Sequence, residues 1–216
     1  IGVLIDDLIN KTPDEPYRIF TSCAEYRLIL RQDNAAERLM KYGHKFGLIP
    51  DDVYQHSIDK TKLIQEGIEY FKSTYIPPAE VDGYLEGINS SPLKQSDLLS
   101  QIIKRNETVL SDLLKLDYFI ENPLASRLKE NPDAMNQIEI ELRYEGYIQR
   151  QFEQVENFEK SESVEIPEVF DFNKIKSLST EGREKLNKVR PRSIGQASRI
   201  SGVSPSDVSV LNIYMK

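Results

Sequence analysis

Tryptophan is missing from these 216 residues, which hold one cysteine, two histidines and three methionines. Each shortage excludes something. The lone thiol, Cys23, forbids an internal disulfide and suits a reducing compartment, so the expected location is the cytoplasm. It reads as a small buried thiol, or else as a nucleophile activated by a nearby helix N-terminus. His44 and His56 are isolated from each other and from any cysteine, so no metal ligand set is expected. Each reads as a structural or exposed histidine on a helix. No apolar run approaches the roughly 18 residues a bilayer span needs, so no membrane partner is expected. A signal-peptide pattern is missing too. The chain also lacks a Gly-x-Gly-x-x-Gly turn and a Walker-type phosphate loop. It therefore offers no catalytic constellation and no cofactor-binding residues of its own.

What is present is enough for a packed core. Hydrophobic residues make up 39% of the chain, a length that suits one large domain or two small ones. The net charge of −7 disfavours a nucleic-acid partner on average, but the charge is segregated. Residues 17–45 carry six Lys/Arg against three acids, a local +3. Residues 166–216 carry nine against five, a local +4, which leaves −14 in the remainder. Two basic ends flank an acidic middle and suit anion binding at the ends. The chain begins at Ile1, inside the apolar stretch Ile1–Ile5, and on this ground it reads as a piece of a longer protein.

Periodicity and punctuation predict an all-α fold with a short strand-like N-terminal stretch, a long central helix and a small C-terminal helical subdomain. Ser22-x-x-Glu25 matches a capping box before a helix over Ala24–Arg31, and a second helix over Asp33–Tyr42 ends at Gly43. Pro50-Asp-Asp opens a helix to about Ser73, with Ile58, Leu63, Ile64, Ile68 and Phe71 near one face. Pro77-Pro78 closes it, and residues 79–93 read as a loop. Short helices are expected near 96–105 and 108–119. Asn131-Pro132-Asp133 starts a helix that runs to about Lys160, on the order of 40 Å at 1.5 Å per residue. A linker over Ser161–Pro167 leads to helices near 172–177, 180–188, 194–201 and 205–214. The expected divisions are 1–50, 51–165 and 166–216.

Two blocks carry most of the chemistry. In the first, Arg27 and Arg31 are four residues apart and would share a helix face. Such a pair either matches Glu25, Asp33 or Glu37 on a solvated face, or binds a phosphate backbone through bidentate guanidinium contacts. In the second, Ser193-x-x-Gln196 is a capping box, while Ser204 caps the next helix with Pro205 and Asp207 behind it. With Gly202 in the turn, this block is close to a helix-turn-helix. The would-be recognition helix offers Ser206, Asp207, Ser209 and Asn212 but no Arg or Lys before Lys216, which is poor equipment for reading DNA. Open alternatives are therefore a compact helical hairpin, a protein-docking or RNA-contacting surface, a DNA-binding regulator and a purely structural dimerisation domain.

Four stretches in order resemble one family. They are Gly2–Leu8, the Tyr17-Arg…Arg38-Leu block, Tyr144-Glu-Gly-Tyr-Ile148 and Ser193-Ile-Gly-Gln-Ala-Ser-Arg-Ile-Ser-Gly-Val203. The family is the flavin-dependent tRNA uridine 5-carboxymethylaminomethyl modification enzymes, also called glucose-inhibited division protein A. The resemblance implies a homodimeric parent that binds FAD and uses NADH. Such a parent works with a tRNA-modification GTPase and a folate one-carbon donor on the wobble uridine of tRNA. Flavin and catalytic cysteines would lie outside this chain. The resemblance makes Arg18, Arg27, Arg31 and Arg38 candidate tRNA contacts, and places Arg192, Ile194, Gly195, Gln196 and Arg199 on a candidate GTPase-docking surface. Cys23 stands where the family pattern has Arg, which removes one expected phosphate contact.

Overall fold

The computed structural model describes residues 4–5, 8–9, 16–18 and 26–215, which divide into two compact units. Ser22, Cys23 and Glu25 lie outside the described residues, and with them the first expected capping box.

The unit over Leu28–Gln149 is helical around one core. Its elements are α1 (Ala35–Lys45), α2 (Asp51–Ser73), α3 (Pro78–Gly87), α4 (Leu99–Ile103), α5 (Leu110–Leu113), α6 (Pro123–Lys129) and α7 (Pro132–Arg143). The start of α8 (Glu145–Glu162) completes it. A two-residue antiparallel pair, β1 (Tyr75–Ile76) and β2 (Asp97–Leu98), sets Tyr75 opposite Leu98. The apolar stripe of α2 buries Leu63, Ile64 and Phe71, as its spacing requires. At Gly67 the helix meets α7 so closely that a Cβ would sit 2.4 Å from Ile138 Cδ1.

Several local expectations change. Residues 27–30 form turns rather than the end of a helix. Tyr26 is left-handed at φ 56°, and the Asn34 side chain takes the Ile29 carbonyl as its acceptor at 2.8 Å. The next helix runs past Gly43 to Lys45 because Gly43 faces Ile49, where a Cβ would lie 2.6 Å from Cγ1. The left-handed terminator is Gly47 at φ 70°. The segment expected as a loop forms α3: Pro78 serves as its first-turn proline, and Val81 and Leu85, one turn apart, are fully buried. In α6 the Asn122 side chain accepts from the Ala125 amide at 3.0 Å. Asn131 makes no such cap, since its side chain donates back to the Arg127 carbonyl.

The long central helix divides at Tyr144, whose backbone leaves the helical region (φ −103°, ψ 12°). The break falls beside Glu145, which Lys72 and Lys104 grip at 2.5 and 2.7 Å. Those two lysines hold the Glu145 carboxyl below the usual carboxylate range.

The other unit comprises residues 1–27 and 150–216. Leu4, Ile5, Leu8 and Ile9 have helical backbone instead of the expected strand. Beyond α8 come a 3-10 turn at Phe172–Lys174, α9 (Thr180–Val189), α10 (Ile194–Ser198) and α11 (Pro205–Tyr214). Their core gathers Ile166, Phe172, Ile175, Leu178, Leu186, Ile194, Ala197, Ile200 and Leu211. Within the expected linker, Glu165 and Ser193 form an antiparallel bridge, with the Ile166 amide on the Arg192 carbonyl at 2.8 Å.

Candidate nucleic-acid and docking surfaces

Arg31 spends its donors inside the fold. Its Nη2 meets Glu141 Oε1 at 2.8 Å and its Nε meets Asp33 at 3.1 Å, leaving the side chain 12% exposed. Burial alone would lower the Arg31 pKa, but the Glu141 and Asp33 carboxylates outweigh it and raise it. Beside it, the nearly buried Asn34 accepts from the Arg31 amide at 3.2 Å and from Arg38 Nε at 3.0 Å. Arg38 Nη2 reaches the Arg31 carbonyl at 3.2 Å. The Gln137 side chain, on α7, donates to the Asp33 carbonyl. Arg31 and Arg38 thus fasten the turn to α7 and to the start of α1. Arg18 and Arg27 are exposed. With residues 27–30 in turns, Arg27 and Arg31 do not share a helix face.

The C-terminal block is organised around a carboxylate that sequence reasoning did not single out. Glu162, in the last turn of α8, accepts from Ser193 Oγ at 2.6 Å and pairs with Arg199 Nη1. Its pKa is pushed up by burial but lowered on balance by the Ser193 hydroxyl and the Arg199 guanidinium. The same guanidinium lies 5.2 Å from the centre of the Phe158 ring. Gly195 lets this happen, since a Cβ there would fall 2.5 Å from Glu162 Cδ. Ile194 is 1% exposed and Gly195 is buried, so neither can present itself to a partner. Gln196 accepts from the Arg192 amide at 2.8 Å rather than from the Ser193 amide its capping-box spacing implied. Of the five candidate docking residues, only Arg192 is fully on the surface. It borders a cavity of about 210 Å³ with Ile166, Pro167, Glu168, Phe172 and Arg190.

In the helix-turn-helix, Asp207 points inward. It is 2% exposed and accepts from the Ser179 amide (2.7 Å) and hydroxyl (2.9 Å) and the Ser204 amide (3.0 Å) and hydroxyl (2.7 Å). Burial works against its charge, yet these bonds hold its pKa down to about 2. It joins the N-termini of α9 and α11 and cannot read a base. The turn itself needs Gly202 at φ 95°, where a Cβ would meet Glu181 Oε1 at 2.6 Å. Among the described residues, no group of three or more His, Cys, Asp or Glu side chains is gathered as a metal site.

Comparison with known proteins agrees along the whole chain. Residues 51–152 match the tRNA modifying enzyme MnmG/GidA C-terminal helical domain, and residues 154–216 match the C-terminal helical bundle of the same enzyme. The tRNA uridine 5-carboxymethylaminomethyl modification enzyme MnmG of Lachnoclostridium phytofermentans is 47% identical over all of this chain, which covers 34% of that protein. The MnmG of Caldicellulosiruptor saccharolyticus is 49% identical, again over 100% of this chain and 34% of its own length. A crystal structure of Aquifex aeolicus GidA superposes with a TM-score of 0.71 at 35% identity, covering 99% of this chain and 32% of that one. The chain thus spans about a third of the length of the relatives it matches. It belongs to the MnmG/GidA family of tRNA modifying enzymes, of which it forms the C-terminal helical region.

Proposed function

We propose that this chain is the tRNA-binding and partner-docking end of a cytoplasmic, FAD-dependent enzyme that installs a carboxymethylaminomethyl group on the wobble uridine of tRNA. The observation that carries the reading is the family match over 51–152 and 154–216 in a chain a third as long as its relatives. The flavin, with NADH as its reductant, is assigned to the remainder of the protein. Residues 1–216 have no Gly-x-Gly-x-x-Gly turn to receive a dinucleotide pyrophosphate. Their work is binding. Arg18 and Arg27 lie exposed and supply phosphate contacts, while Arg31 and Arg38 are engaged in fastening the turn that precedes α1. Arg192, at the rim of its cavity, faces the tRNA-modification GTPase, and the parent acts as a homodimer.

The full-length protein carrying Arg18→Ala and Arg27→Ala together is expected to bind tRNA more weakly. The slope of log affinity against log salt should flatten by about 1–2, because each lost phosphate contact releases fewer counterions. An unchanged affinity and slope would remove the assignment. A duplex DNA competitor that binds as tightly as tRNA would favour a DNA regulator, a reading that the buried Asp207 already weakens.

A further inference from the structure

The amphipathic helix α1 is fixed in place without burying any of its own side chains. Its N-terminal end is held by Asn34, Arg31 and Arg38, as described above. At its other end, His44 Nε2 lies 2.6 Å from Asp51 Oδ1, and the His44 ring stacks on Tyr54 with centroids 4.3 Å apart. Gly43 fits closely against Ile49. The other side of the helix is apolar and open: Leu39 is 56% exposed, Tyr42 52% and Phe46 71%, spaced three and four residues apart on one face. Leu48, just past the helix end, is 77% exposed. A helix and its C-terminal turn that together present four large apolar side chains outward have the makings of an interface, since contiguous apolar patches of this kind mark interaction surfaces.

Three occupants fit the chemistry unequally. Single-stranded RNA would stack on Tyr42 and Phe46, but Leu39 and Leu48 have no ring to offer a base. A second copy would meet this patch through the same patch. That would crowd Lys41 and Lys45 of both copies along one rim and set like charges against each other. A different polypeptide surface carries neither penalty, and relatives hold about two thirds of their length outside the segment matched here. We propose that Leu39, Tyr42, Phe46 and Leu48 form an intramolecular docking face, covered by a part of the same polypeptide outside residues 1–216. This rests on the reading that the chain is one portion of a longer enzyme. It does not depend on whether that portion binds tRNA.

The test is site-specific photocross-linking in the full-length protein, with Phe46→benzoylphenylalanine and, should that variant misfold, Leu39→benzoylphenylalanine. The expected product is a cross-link within one chain, joining position 46 or 39 to a peptide outside residues 1–216. Cross-links confined to residues 1–216, to a second copy or to co-purified RNA, or no cross-link at all, would overturn the proposal. A tRNA titration on the same preparation separates the two readings, because the cross-link survives even where tRNA binding fails.

Discussion

Glu141 and Glu162 hold similar positions in two separate parts of the molecule, yet their surroundings differ in what they leave on the surface. Each is a half-buried carboxylate that receives an arginine from a basic motif: Arg31 in one case, Arg199 in the other. In the first region the motif is fastened by hydrogen bonds and ion pairs, by the His44–Tyr54 stack and by Gly43 against Ile49, and α1 buries none of its residues. Its apolar stripe stays free to meet another surface. In the second region the motif is consumed by folding. Ile194, Gly195 and Ala197 enter the core, Ser193 and Arg199 turn toward Glu162, and of the five candidate docking residues only Arg192 remains fully outside. A basic motif therefore does not locate a binding surface by itself. What matters is whether its neighbours leave its apolar residues in or out.

That contrast can be broken at points of decreasing effect. The largest involves Asp207, whose four hydrogen bonds belong to the C-terminal unit. Its carboxyl is held at about 2 against an ordinary value of 3.8, so it contributes stability that is fully present above about pH 4. That contribution, about 2 kcal/mol at 1.36 kcal/mol per pKa unit, is lost as pH falls from 4 toward 2. Chemical denaturation of Asp207→Asn across this range should show most of the acid sensitivity removed, at the cost of a lower plateau above pH 5. An Asp207→Asn chain that loses stability with acid as steeply as the original would contradict this.

Next comes the pair of hubs. Glu162→Gln keeps the hydrogen-bonding shape but removes the charge that Arg199 faces, and should cost about 1–2 kcal/mol by urea denaturation. Adding Arg199→Met should recover part of that loss, whereas purely additive effects would mean that the two side chains are not coupled. The smallest effect is expected for Leu39→Ser with Phe46→Ser in the 216-residue chain. These side chains touch no core, so stability should stay within about 0.5 kcal/mol. A loss of 2 kcal/mol or more would mean that α1 packs inward after all.

The all-α class, the helix over 51–73 and the C-terminal hairpin were legible because their signals are local: stripe spacing, Pro at the first helical position, and Ser caps. Ser204 and Asp207 form the reciprocal box their spacing implies. What failed was what depends on distant partners. Nothing near Arg31 in sequence announces Glu141, 110 residues away, or the Gln137 side chain that takes the Asp33 carbonyl. Helix α3 was hidden by Gly83 and Gly87, whose cost is outweighed by burial of Val81 and Leu85. Its signal, two apolar residues one turn apart after a proline, was present and outvoted by composition. At the candidate site, the burial of the named residues was not readable in the sequence. Gly195, which the resemblance places on the candidate docking surface, is instead approached by Glu162 of the same chain.

The central claim is a division of labour within the first motif, with Arg31 holding the fold and Arg18 and Arg27 meeting the nucleic acid. Arg31→Ala in the full-length protein tests it, with urea stability and the salt dependence of tRNA binding measured on one preparation. The account predicts a loss of about 2 kcal/mol of stability with the salt slope unchanged at temperatures where the variant remains folded. Full stability with a slope flattened by about 1 would contradict it.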